Sequence, residues 1–155
     1  MKGKRHPPAD KNDLLRLDQQ VCFPLYAATN LLQRLYRPLL APLGLTYSQY
    51  LVMLVLWEQE PVSAGTLGEC LHLDIGTLSP LLKRMERAGF ITRRRDASDE
   101  RRILIALTVQ GRSLRGQARG IPAALAKVTG LKPEEVIGLR GQAQEFVARL
   151  ATIVP

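Results

Sequence analysis

The chain has 155 residues, 46% of them hydrophobic and 23% charged, so whole-chain disorder is excluded and one domain with helical extensions fits the length. Its longest apolar run, Tyr50 to Trp57, falls far short of the ~20 residues of a membrane span, and the polar, basic opening Met1 to Lys11 is no secretory signal. Lys and Arg number 22 against 14 Asp and Glu, a net charge of +8 that attracts polyanions, and two cysteines make no disulfide framework, so the expected compartment is the reducing cytoplasm.

Residues 1–13 form a basic tail expected to be flexible. Behind it Leu14, Leu17, Val21, Leu25, Ala28, Leu32, Leu35 and Leu39 recur at helical spacing, which predicts an amphipathic helix of about 40 Å. Pro24 either kinks that helix or marks a restart. Ala41 to Leu45 reads as a loop and closes a first unit, 14–45. Thr46 or Ser48 caps the next helix, roughly 47–58, which holds the apolar run and is expected to be buried on most sides. Glu60-Pro61 ends it, and Ser63 caps a short helix over 63–71 with Leu67 and Leu71 inward. Ile75, Leu78, Leu81, Leu82 and Met85 then share one helical face, and Gly89 is a C-terminal stop. Pro80 lacks an N–H and belongs in a first turn, which favours Thr77 over Asp74 as the N-cap. Phe90 to Arg94 and Ile103 to Thr108 are β-like runs around a charged tip, a hairpin. Thr108 caps a helix reaching about Gly120, and a break follows at Ile121-Pro122. Pro133 opens the last helix, whose apolar stripe is Val136, Leu139, Ala143, Phe146, Val147 and Leu150.

Short helices followed by a hairpin over 46–108 are the order of a winged helix-turn-helix. The fold class is therefore mainly α with a small β wing, flanked by long dimerisation helices in 14–45 and 109–155. The flanking apolar stripes exceed what so small a central domain covers, and a second copy is the economical cover, giving a homodimer. A two-fold dimer suits a palindromic double-stranded DNA operator with half-sites about one helical turn apart. Charge is distributed accordingly. Residues 12–73 carry three bases and five acids, so the basic excess lies in the tail and beyond residue 73. Opposite the apolar face of the helix with Pro80 stand Thr77, Ser79, Lys83, Arg84 and Arg87.

At the wing the sequence resembles the MarR family of dimeric repressors, through Asp99-Glu100-Arg101, the run Ile103 to Thr108, and Gly111. Leu17 to Phe23, Leu43 to Tyr50 and Leu73 to Met85 are similar to its organic-hydroperoxide-sensing (OhrR) type. Cys22 with Tyr36 and Tyr47 at that type's spacing is the more specific signal. The resemblance covers residues from Leu14 to Leu150. It implies a repressor whose reduced dimer binds its operator and is released when an organic hydroperoxide oxidises Cys22. It further implies that Thr77, Ser79, Lys83 and Arg84 face the major groove and its phosphates. Arg101 would enter the minor groove, oriented by Asp99. Arg93, Arg94, Arg95 and Arg102 are phosphate candidates, at least two of them bystanders.

A thiolate attacks a peroxide oxygen and becomes a sulfenic acid, so the site must stabilise negative charge and stay reachable. Phenol O–H donors meet the first need. Tyr36 stands 14 residues after Cys22, about 21 Å along one helix, so the two cannot meet through that helix. The resemblance implies an antiparallel partner helix that brings Tyr36 of one chain to Cys22 of the other, with Tyr47 joining. Tyr26 is either a third donor or core packing. Phe23, Leu25 and the Leu51 to Trp57 helix would favour organic over inorganic peroxide. Spacing alone also suits an inert Cys22 on the apolar stripe.

Two residues depart from the type. A helix restarting at Pro24 would leave Cys22 near an N-terminus, whose dipole favours a thiolate. Two-cysteine members place a resolving thiol after the wing, where Lys127 stands here. Cys70 reads instead as incidental, which implies a sulfenate capped by a low-molecular-weight thiol or overoxidised. No cofactor is expected, and neither His6 nor His72 has partners at metal-ligand spacing. The rivals are a MarR-type repressor released by a small apolar or phenolic ligand, a Cys22-dependent thiol peroxidase, and a nonspecific architectural DNA binder. The chain lacks the α/β alternation of thioredoxin-like peroxidases, and a regulator that is not an enzyme is expected.

Overall fold

The N-terminal periodicity resolves into a 3-10 turn, Leu17–Gln19, and a helix α1, Cys22–Leu40. The computed structural model describes residues 14–154, so the expected tail and His6 lie outside the described residues. Of the two readings of Pro24, the restart holds. Pro24 is the third residue of α1, where its missing N–H is one that has no intrahelical partner in any case. Cys22 is consequently the first residue of the helix.

Next come α2 (Tyr47–Glu58), β1 (Val62–Ser63), α3 (Ala64–Leu71), α4 (Ile75–Arg87), β2 (Ile91–Arg95), β3 (Ile103–Leu107), α5 (Val109–Ala118), α6 (Ile121–Thr129) and α7 (Pro133–Ala151). Thr46 caps α2 in a reciprocal box with Gln49, and Ser63 and Thr108 cap α3 and α5 through their hydroxyls. Where Thr77 was expected to cap α4, Asp74 does so, accepting from Thr77 N at 2.9 Å and from Thr77 Oγ1 at 2.8 Å. Pro80 therefore lies inside α4, not in its first turn. The carboxylate cap offsets the backbone hydrogen bond that proline forfeits. Ile75, expected inward, is the first residue of α4 and is 63% exposed. Gly89 ends the helix as expected, at φ +77°, with Gly89 N bonded to Glu86 O and Phe90 N to Met85 O, the paired closure of a Schellman turn.

The hairpin is part of a three-stranded antiparallel sheet of order β1-β3-β2. In it Arg93 faces Ile105 and Arg94 faces Leu104. β1 is two residues long, too short for alternation to reveal it. The fully buried side chains are Leu40, Val52, Met53, Leu56, Leu67, Leu78, Leu82, Met85, Ile91 and Ile105. Each contributes about 1.5–3 kcal/mol relative to exposure. This core belongs to the winged helix and to the end of α1. By contrast, α7 has no buried residue. No single described helix is long and apolar enough to cross a membrane.

Two carboxylates close the sheet where strands leave N–H groups unpaired. Glu60 Oε2 accepts Leu107 N at 2.7 Å, beyond the reach of β1, and the same carboxylate pairs with Arg112 at 2.6 and 3.0 Å. Burial pushes the Glu60 carboxyl up, but Arg112 and the Leu107 N–H outweigh it and hold the group below its ordinary range. On the opposite edge Glu86 Oε1 accepts Arg93 N at 3.1 Å.

Candidate functional site

Cys22 is exposed at the start of α1, amid first-turn N–H groups without intrahelical partners. Tyr36 lies near the other end of the same helix, about 21 Å along its axis. Within one chain the structure does not bring Cys22 to the tyrosines. It does join Tyr36 to Tyr47, with ring centroids 4.9 Å apart, and adds Tyr50 at 5.7 Å from Tyr36. Tyr50 was read only as part of the apolar run. Its spacing of three from Tyr47 puts both on one face of α2, a signal sufficient to have found it. Burial raises all three phenol pKa values above the ordinary tyrosine range, so at neutral pH each keeps its O–H donor. Tyr26 stands apart, 68% exposed. Cys70 is also exposed, on α3.

On the second face, Leu78, Leu81, Leu82 and Met85 anchor α4 while Thr77, Lys83 and Arg84 are exposed and Ser79 half-buried. The cap settles the polarity of Thr77: its hydroxyl proton goes to Asp74, leaving lone pairs and a methyl outward. These hydrogen bonds hold the Asp74 carboxyl below its usual range. A depressed folded-state pKa adds stability at neutral pH that disappears once acid protonates the group. Asp74→Ala is therefore expected to lower the melting temperature at pH 7, and the gap from wild type to close below about pH 4. An equal gap at pH 7 and pH 3 would refute the capping role.

In the wing, Arg101 extends its side chain, 93% exposed, with Asp99 Oδ1 3.1 Å from its N and 3.4 Å from its Nε. Asp99 thus sits where an orienting partner would. The strand arginines divide. Arg93 pairs with Glu86 and Arg102 with Asp96 at 3.7 Å. Arg94 shares the outer sheet face with Leu104, whereas Arg95 opposite Ile103 shares the face turned to the core. Strand register, invisible in a run of three arginines, makes this division. Among the described residues no three His, Cys, Asp or Glu gather as metal ligands.

A family model for the transcriptional regulator SarA/Rot matches residues 34–116. The HTH-type transcriptional regulator TtmR of Methylorubrum extorquens is 48% identical over 125 residues, 81% of this chain, which spans 64% of that protein's length. The organic hydroperoxide resistance transcriptional regulator of Bacillus subtilis is 44% identical over 131 residues, covering 84% of this chain and 89% of its own. The chain belongs to the MarR family, in its organic hydroperoxide regulator type. Its MarR-type winged helix is matched by AbfR of Staphylococcus epidermidis, solved reduced and bound to DNA. That structure is 33% identical, with a TM-score of 0.71 over 92% of this chain and 99% of its own. These relatives are transcriptional regulators, and the AbfR structure holds DNA.

Proposed function

We propose that the protein is a peroxide-sensing repressor of the cytoplasm, whose reduced homodimer holds a palindromic operator and releases it when an organic hydroperoxide oxidises Cys22. The observation that carries this reading is the reachable thiol at the first residue of α1, in a chain so similar to an organic hydroperoxide resistance regulator. The Cys22 thiolate attacks one peroxide oxygen, the O–O bond breaks, and the departing alkoxide takes a proton to leave as alcohol. The sulfenic acid formed is then attacked by a low-molecular-weight thiol, giving a mixed disulfide and water.

Dimerisation completes the site. Between α1, α6 and α7 runs an apolar groove of about 510 Å³ lined by Leu25, Leu32, Tyr36, Leu125 and Leu139. A second chain covering it, with its α1 antiparallel, would bring the partner's Cys22 to Tyr36 and Tyr47. The groove also favours the rival, a small apolar or phenolic ligand as the signal. Release of the wild-type protein by such a ligand, and never by peroxide, would replace the redox reading.

For DNA, α4 presents Thr77, Ser79, Lys83 and Arg84 to the major groove and phosphates, and Arg101 reaches the minor groove. Arg94, on the outer sheet face, contacts phosphates. Arg101→Ala is expected to weaken reduced-operator binding by roughly 1–3 kcal/mol, and Lys83→Ala to reduce the salt slope. With +8 on each chain, affinity should fall steeply between low and high salt. An affinity indifferent to salt in an anisotropy titration would sink the DNA assignment.

A further inference from the structure

We infer that Glu86 sets the position of the wing against α4, and so acts as a positioning residue for the DNA contact of Arg101. β2 is an edge strand, and its Arg93 N–H points away from the β3 ladder. Glu86, in the last turn of α4, receives that N–H on Oε1 at 3.1 Å. Its Oε2 lies 3.2 Å from Arg93 Nε, close enough for an ion pair but off-axis for a hydrogen bond. Arg93 is opposite Ile105, with its side chain three-quarters buried. One carboxylate thus grips both the backbone and the side chain of the same strand residue. Beyond the turn at Gly89, whose backbone bonds hold the start of β2, this grip fixes the rotation of the strand about the end of α4 at Arg93.

The rest of the path to the tip is also bonded. Asp96 N donates to Arg102 O at 2.9 Å, Asp96 Oδ1 receives both Ser98 N and Ser98 Oγ, and Arg102 N donates to Asp99 O. Asp99 then holds Arg101. On this path Glu86 is the side chain that ties α4 to the backbone of β2. Arg93, one of the phosphate candidates, is spent on this joint.

The test uses full-length reduced protein on operator DNA, with affinity and two protections measured: hydroxyl-radical cleavage for the minor groove and guanine N7 methylation for the major groove. In Glu86→Ala the minor-groove protection should disappear while the major-groove protection persists, and affinity should drop about tenfold, the scale of one lost groove contact. In that background Arg101→Ala should cost less than twofold more. Glu86→Gln, which keeps a neutral acceptor for the Arg93 N–H, should restore most of the wing protection. Persistence of minor-groove protection in Glu86→Ala, with the full Arg101→Ala loss still added, would overturn the inference. So would loss of both protections together in the Ala and Gln variants, the mark of a folding residue. The inference rests on the assignment of Arg101 to DNA, which fails separately if wild-type protein shows no minor-groove protection.

Discussion

Cys22→Ser is expected to bind the operator as the wild type does and to stay bound after a stoichiometric dose of cumene hydroperoxide. Serine keeps the shape of the first turn of α1 but has no sulfur to accept the peroxide oxygen. The wild type needs only a modest differential to let go, since ~1.4 kcal/mol is tenfold in affinity. In the proposed dimer, added oxygen at Cys22, or a bulkier thiol adduct, would have to be accommodated between helices that also set the spacing of the two α4 helices. On the proposed arrangement Tyr36→Phe would remove a donor to the charged sulfur, a hydrogen bond worth about 1.5–3 kcal/mol, so its response should slow by tenfold or more. Cys70→Ser should respond normally. Release of Cys22→Ser as readily as wild type would end the sensor reading, and failure of Cys70→Ser alone to release would make Cys70 the sensing thiol.

Gly111→Ala should be among the most damaging single changes outside the redox site. A Cβ at Gly111 would stand 2.1 Å from the Phe90 carbonyl oxygen and 3.2 Å from Leu107 Cδ2. Neither side can retreat. Thr108 N and Oγ1 bond to Phe90 O and Gly89 O at 3.1 and 2.6 Å, fixing the start of α5 on the strand end. Gly111 N is bonded by Thr108 Oγ1, and its carbonyl accepts Trp57 Nε1, both at 3.0 Å. Overpacking of backbone against backbone should cost about 3 kcal/mol or more, a fall of roughly 6–12 °C in melting temperature for a chain of this size. A circular-dichroism melt within about 2 °C of wild type would contradict the packing.

The fold was legible where periodicity and caps agreed. Thr46, Ser63, Thr108 and Gly89 all mark boundaries that the structure keeps, because their signals are local and chemically specific. The expectation for Pro80 fails because the rule about proline outranks Asp74 in the sequence, whereas in the fold Asp74's two bonds to Thr77 hold the helix start. β1 was invisible because its pairing with β3 spans some forty residues of sequence and only two of strand. At the site, Tyr36 and Tyr47 were found by resemblance, and Tyr50 was hidden in an apolar run. Glu60 and Glu86 carried no signal at all, since each is defined by a partner placed by the tertiary fold.

The chain has one tryptophan, and its place gives the molecule a built-in optical gauge. Trp57 is buried, meets Tyr50 edge-on at 6.2 Å, and donates its indole N–H to α5. Tyr50 in turn touches Tyr36. Indole emission responds to the polarity and hydrogen bonding of its surroundings, so any movement of α2 against α5, or of the tyrosine cluster against α2, changes colour or intensity at a single known position. Unfolding can be followed on the unlabelled protein in real time, and so can any movement of these helices that the proposed oxidation or operator binding brings.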